Sequence, residues 1–412
     1  MKILIFTSSA GNGHNSTAKR IKEKVLENNN KAEIEIVDVY KEYASKFKAW
    51  TMEQGYFLAC NHFVSLYNYF FKKSEKSTYE NRDKSKVNKE VNSIMFGMLN
   101  KIYSFQPDVI ISTYIFCSVA ITNIKRCYKI PATTICMTLD YGISPYWECC
   151  ASGLDYMFLT DEYMVDAFKQ KGYSNKQLIV SGIPVADKFS TPQPKISTRK
   201  KLGLDESLFT VIIMKASFFP ISNKQLFKQL SKINEKIQII FINGKNEKTR
   251  IDIENKIKKY NLKHNIINIG FTDKIVDYMS ASDLVLGKAG GLSTTESINT
   301  GLPSLIVDHL PQQEIYNKEF LISKGCALSV DKTTIAQNIN FLLNNKDEYN
   351  KMKNNALKLR KIGTLDIFYE TISSCKKAKY DNLHLEDSPK QVIKNISKKR
   401  KLNILESKKK SL

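Results

Sequence analysis

No run in the chain reaches the roughly 18 consecutive apolar residues of a membrane span, so any membrane contact read from the sequence is peripheral. Its eight cysteines include no CxxC pair and no zinc-spaced quartet, and no close His/Asp cluster stands in for one. Neither a metal nor another cofactor is therefore expected. Adjacent residues bridge poorly, so Cys149 and Cys150 read as free thiols. The opening Met1-Lys2-Ile3-Leu4-Ile5-Phe6 runs straight into a strand and lacks the small-residue cleavage pattern of a secretory leader, which favours a reducing cytoplasm. Acid is scarce too: 41 Asp and Glu against 63 Lys and Arg leave a formal charge of +22. Such a charge draws the protein toward a polyanion. The aromatic-basic signature of an RRM and the pattern of a helix-turn-helix are both missing, so nucleic acid is not the expected partner; anionic lipid and nucleotide phosphate remain.

What is present is length and alternation. At 412 residues the chain is comfortable for two domains, each burying its own sheet. Short apolar runs alternate with amphipathic stretches, the pattern of parallel strands joined by crossover helices, so the fold class is α/β. Strands are predicted over 3–7, 33–38, 109–112, 133–138, 156–159 and 178–180, then over 210–214, 238–242, 265–269, 284–286 and 304–307. Between the two series, 181–197 holds Pro184, Pro192 and Pro194 with little periodicity and reads as a linker. The expected organisation is two Rossmann-like, doubly wound domains facing across a cleft: 1–190 on the acceptor side and 191–375 holding the donor. Residues 376–412 carry 12 basic and 4 acidic side chains and read as a disordered basic tail.

Two constellations carry chemistry. After the first strand stands Ser8-Ser9-Ala10-Gly11-Asn12-Gly13-His14, leading into a helix. Glycines let that backbone turn tightly, and a helix start favours an anion or developing negative charge. The same field lowers the pKa of His14 and keeps it neutral, as a general base needs. A dinucleotide fingerprint is the rival reading, with Asp38 as ribose acid, although Ser16 holds its third glycine position. The second constellation runs Phe271-Thr272, then Lys288-Ala289-Gly290-Gly291-Leu292-Ser293-Thr294-Thr295-Glu296, then Pro311-Gln312-Gln313-Glu314 with Asn317. A Gly-Gly turn opening a helix offers free amides to a diphosphate, with Ser293 and Thr294 adding hydroxyls and Lys288 a cation. Glu296 lies within the first turns of that helix, where a carboxylate can take both hydroxyls of a ribose. Phe271 suits stacking on a uracil face.

These residues resemble the diacylglycerol glycosyltransferase and monogalactosyldiacylglycerol synthase family, kin of the peptidoglycan enzyme that adds N-acetylglucosamine to lipid I. The likeness spans Met1 to about Leu328 and includes Ser181-Gly182-Ile183-Pro184-Val185, similar to the family's domain-closing signature. The resemblance implies a GT-B fold, no metal, and work at the inner membrane face. It also implies a UDP-hexose donor with Gly13 near it, Glu296 on the ribose, and Gln313, Glu314 and Asn317 near the sugar. Asp140 resembles the family's mid-domain carboxylate, expected to orient His14 or bind the acceptor. Two departures stand out: Lys215 to Phe219 replace a Gly-rich phosphate loop, and Pro311-Gln312-Gln313 replaces Pro-Gly-Gln.

A third feature, from Trp50 to Phe71, is dense in aromatics. Tyr56, Phe63, Tyr67 and Phe70 fall at helical spacing between lysines, as in a helix that enters an anionic headgroup layer. The same stripe also suits a helix packed on the sheet. The expected activity is inverting transfer of a hexose from a UDP-sugar to a diacylglycerol-type lipid, peripheral on the cytoplasmic face. A polyprenyl-linked or small-molecule acceptor, or a UDP-sugar-binding protein impaired in catalysis, are the alternatives.

Overall fold

The structure, a computed structural model, describes residues 1–9, 11–51, 55, 58–59, 63–76, 86–191, 193–215, 219–380, 391–392, 394–395 and 398, with the backbone alone at 12, 48 and 86–90. Tyr56, the segment 216–218 and most of the basic tail lie outside the described residues.

Two parallel sheets organise the chain. The first, in spatial order β2-β1-β3-β4-β5-β6, comprises β1 (Lys2–Thr7), β2 (Glu33–Asp38), β3 (Val109–Ser112), β4 (Thr133–Met137), β5 (Tyr156–Leu159) and β6 (Leu178–Val180). The second runs β12-β11-β10-β7-β8-β9 and comprises β7 (Thr210–Met214), β8 (Gln238–Ile242), β9 (Asn265–Ile269), β10 (Leu284–Gly287), β11 (Ser304–Val307) and β12 (Ala327–Val330). Runs such as Val109-Ile110-Ile111 and Leu284-Val285-Leu286 are apolar at every position because helices cover both faces of each sheet. The helices that shape the cleft are α1 (Asn12–Asn28), α2 (Val64–Glu75), α3 (Gly291–Thr300), α4 (Gln312–Ser323) and α5 (Thr364–Ser374).

Chain order reverses between β1 and β3 in one sheet and between β7 and β10 in the other. At such switch points, beyond the strand C-termini, open sheets bind ligands. The loop entering α1 sits over the first point and the turn entering α3 over the second.

The linker is packed rather than loose. Ile183, Val185 and Phe189 are buried, and Gly182 takes a positive φ of 87° beside Lys361. The chain also returns: α5, expected with the second domain, packs on the first. Its Leu365, Phe368 and Ile372, at helical spacing, close the apolar face there, with Phe368 stacked on Phe158 at 3.8 Å. Lys24 of α1 pairs with Asp366 of α5 at 2.6 Å. Beyond α5, the Tyr380 hydroxyl donates to the Pro107 carbonyl at 2.9 Å and Val392 is buried in the first domain, so these parts of the basic tail are anchored.

Candidate active site between the two sheets

On the first-domain side, Gly11 turns the chain with φ 99°, a conformation L side chains resist, and α1 follows at once. The turn is braced by Thr7 donating to Asn15 at 2.9 Å, Asn15 donating to Ser9 at 3.1 Å, and Ser9 donating to Asp38. Asp38 also caps the next helical turn, accepting from the Lys41 amide at 3.3 Å. It is thus committed to protein contacts, which removes the acid that the dinucleotide reading needs.

His14 follows. Its Nδ1 lies 2.6 Å from the Thr113 carbonyl, and its ring meets the edge of Tyr114 at 5.0 Å. A carbonyl only accepts, so Nδ1 carries the proton and Nε2 holds a lone pair. Burial lowers the imidazole pKa, and the Thr113 hydrogen bond opposes the shift. Burial, rather than the helix start invoked from the sequence, is the main cause that favours the neutral imidazole. Thr113, not Asp140, orients it.

On the second-domain side, β10 ends at Gly287 and α3 begins at Gly291, with Gly290 extended before it. The first helical bond is Thr294 N–H to the Gly290 carbonyl at 2.8 Å, so the amides of Gly291, Leu292 and Ser293 have no carbonyl within the helix. The domains meet here by backbone. A Cβ on Gly291 would lie 1.8 Å from the Leu139 carbonyl oxygen, while Gly13 faces the Leu292 side chain.

Lys288 pairs with Glu314 beside Gly290. Asn317, expected near the sugar, is a strut. Its Nδ2 donates to Asp140 Oδ1 and to the Ala289 carbonyl, both at 2.8 Å, while its Oδ1 accepts the Tyr141 amide at 2.6 Å. Those three bonds use both amide protons and one lone pair of the oxygen, and they join the domains. Burial pushes Asp140 up to about 6; Asn317 opposes this, Glu314 adds to it and Lys288 pulls it back.

Glu296 is buried and meets Arg20 of α1 at 3.4 Å. Burial raises its pKa and the guanidinium opposes that. Arg20 also reaches the Pro184 carbonyl at 3.4 Å, so one side chain ties α1, the linker and α3 together. Four polar atoms nearby are buried without a partner: Thr294 Oγ1, Gln312 Oε1, Gln313 Oε1 and Glu314 Oε2. Such concentration of unmet hydrogen-bonding capacity marks a site for a polar ligand.

Phe271 and Thr272 stand past β9, at the far edge of the sheet from α3's entrance; the Phe271 ring is 69% exposed with Lys245 Nζ 5.5 Å from its centre. After β7, where Lys215 to Phe219 depart from the family's Gly-rich loop, Lys215 is buried with Nζ 4.2 Å from the centre of the Phe219 ring, and burial pushes its pKa down to about 8. Residues 216–218 between them lie outside the described set.

The aromatic segment has two faces. Trp50, Phe63, Leu66, Tyr69 and Phe70 are exposed and none of α2 is buried. Tyr67, which the spacing groups with Phe63 and Phe70, turns instead toward α4. There it accepts from Gln313 Nε2 at 2.6 Å. Arg20 and the partners of α2 were not found from the sequence, because each depends on a contact with the other domain.

Residues 14–185 match the family model described as monogalactosyldiacylglycerol (MGDG) synthase, and residues 218–365 match the glycosyltransferase family 28 C-terminal domain. Among curated relatives, a processive diacylglycerol beta-glucosyltransferase of Staphylococcus saprophyticus is 27% identical over 335 residues, spanning 79% of this chain and 80% of its own. The enzyme of that name from Bacillus subtilis is 23% identical over 383 residues, spanning 90% and 94%. Among solved structures, MurG of Acinetobacter baumannii superposes with a TM-score of 0.57 at 12% identity, covering 90% of this chain and 99% of that one. HepE of Anabaena in complex with UDP gives 0.53 at 14%, covering 91% and 100%. These likenesses establish a shared GT-B architecture.

Proposed function

We propose that this chain, whose residues 14–185 match the monogalactosyldiacylglycerol synthase model and 218–365 the glycosyltransferase family 28 C-terminal domain, is an enzyme that moves a hexose from a UDP-sugar to the free hydroxyl of a diacylglycerol-type lipid. The observation that carries the reading is the pairing across one cleft of a His14 imidazole, its Nε2 lone pair set by Thr113, with the open amides of α3. His14 Nε2 takes the acceptor's hydroxyl proton as that oxygen bonds to the anomeric carbon. The bond from anomeric carbon to β-phosphate oxygen breaks, its electron pair leaves with UDP, and a single displacement inverts the anomeric centre. The amides of Gly291, Leu292 and Ser293 receive the diphosphate charge, with Lys288 beside them. Glu296 exchanges Arg20 for the ribose diol. Gln312, Gln313 and Glu314 offer their unpartnered oxygens to sugar hydroxyls.

The acceptor comes from a bilayer. No described helix is long and apolar enough to cross a membrane, and the exposed aromatics of 50–70 sit next to Lys72 and Lys73 in a chain of charge +22. That face suits an anionic lipid surface, on the cytoplasmic side where UDP-sugars are made available.

Purified protein incubated with UDP-glucose, UDP-galactose or UDP-N-acetylglucosamine and diacylglycerol liposomes tests the proposal. A glycolipid product with matching UDP release is expected, lost in His14→Ala and in Glu296→Ala. Absence of UDP release with every donor would overturn it.

A further inference from the structure

We infer that Tyr67 is a positioning residue for the donor sugar, holding the Gln313 side chain in place and coupling it through α2 to the lipid-facing surface. The inference rests on the donor reading above and adds a link between the two substrates.

α2 is built with two unlike sides. Phe63, Leu66, Tyr69 and Phe70 stand more than half exposed. Tyr67, at the border of that face, and Asn68 and Glu75 beyond it all reach the entrance of α4: Gln313 Nε2 donates to the Tyr67 hydroxyl at 2.6 Å, Asn68 Nδ2 to the Leu310 carbonyl at 3.0 Å, and Tyr316 to Glu75 at 2.6 Å. The target stretch, Leu310 to Tyr316, contains the three side chains set to meet the sugar. One short helix therefore spans from the apolar surface to the donor subsite.

The Gln313 amide shows why the hold matters. Its nitrogen is taken by Tyr67, while its Oε1 is buried with no partner. An amide presents a donor end and an acceptor end, and its terminal torsion is soft. Fixing the nitrogen fixes which end faces the cleft, and a buried acceptor left open is satisfied by a sugar hydroxyl. The bonds of Asn68 and Glu75 go to Leu310 and Tyr316, so they anchor the helix while Tyr67 sets the amide. A bilayer that binds α2 in one placement better than another biases Gln313 with it, because a ligand shifts an equilibrium by its differential affinity.

The experiment uses the full chain and calorimetric binding of UDP and UDP-glucose. In Tyr67→Phe, UDP-glucose is expected to bind about tenfold more weakly, the loss of one buried hydrogen bond, while UDP binding stays within about twofold. Gln313→Ala is expected to weaken UDP-glucose similarly, with Tyr67→Phe adding nothing in that background. Vesicles of phosphatidylglycerol and phosphatidylcholine, without diacylglycerol, are expected to tighten UDP-glucose binding by wild type but not by Tyr67→Phe. Unchanged UDP-glucose affinity in Tyr67→Phe, additive losses in the double variant, or no vesicle effect on wild type would overturn the inference. Failure of wild type to bind UDP-glucose would instead overturn the donor reading.

Discussion

Asp140 is held as a carboxyl in a place that disfavours its charge, and Asp140→Asn exposes that cost. Moving an acid from its ordinary 3.8 to about 6 amounts, at ~1.4 kcal/mol per tenfold, to ~3 kcal/mol lost once both states are ionised. Solvent at the cleft screens part of it, leaving about 1–2 kcal/mol. The sign follows from linkage. With its folded pKa raised, the group favours the folded state while protonated, and that contribution drains away as pH rises from the unfolded value through about 6. Asparagine keeps an oxygen for the Asn317 donor and carries no charge. At pH 7.5 Asp140→Asn should therefore melt higher than wild type, by about 2–6 °C for domains of this size, and the gap should shrink to about a third at pH 4.5. Glycosyl transfer should fall sharply in the same variant. Differential scanning calorimetry at the two pH values measures it. A variant less stable than wild type at pH 7.5 would show that Lys288 compensates the buried carboxylate and would refute the reasoning.

Arg20→Gln removes the cation that opposes the burial of Glu296, so the ionised carboxylate proposed to grip ribose should appear only at higher pH; titrated UDP affinity should show its acid limb shifted upward, and an unmoved limb contradicts the pairing. Gly291→Ala forces a Cβ onto the Leu139 carbonyl, which backbone on both sides cannot yield to cheaply; a loss of about 1–3 kcal/mol, seen by denaturant melting, and a larger radius of gyration in scattering are expected. Phe63→Glu with Phe70→Glu should abolish co-flotation with anionic vesicles while leaving UDP binding intact, since both rings face away from α4. Co-flotation equal to wild type would remove the lipid-facing role of α2.

The sheets were legible because both-face burial makes parallel strands read as unbroken apolar runs, as in Val211-Ile212-Ile213. β12 escaped notice: it is four residues at a sheet edge, with Leu328 only partly buried and Ser329 exposed, so no run forms. The Gly290-Gly291 turn into α3 was legible as well, since its glycines and helix start are local. Periodicity places α2's residues around a helix, yet it does not say which side meets another domain, and Tyr67 bonds a residue 246 positions away. Asn317 shows a related limit: an amide suited to a sugar is equally suited to a strut. The return of α5 to the first domain had no local mark at all, because its apolar stripe fits either domain.

The most direct measurement is a crystal structure of the chain with UDP. The diphosphate is expected on the amides of Gly291 to Ser293, with Glu296 released from Arg20 and both ribose hydroxyls on its carboxylate. A nucleotide bound elsewhere, or one seated while Arg20 still holds Glu296, would contradict the account.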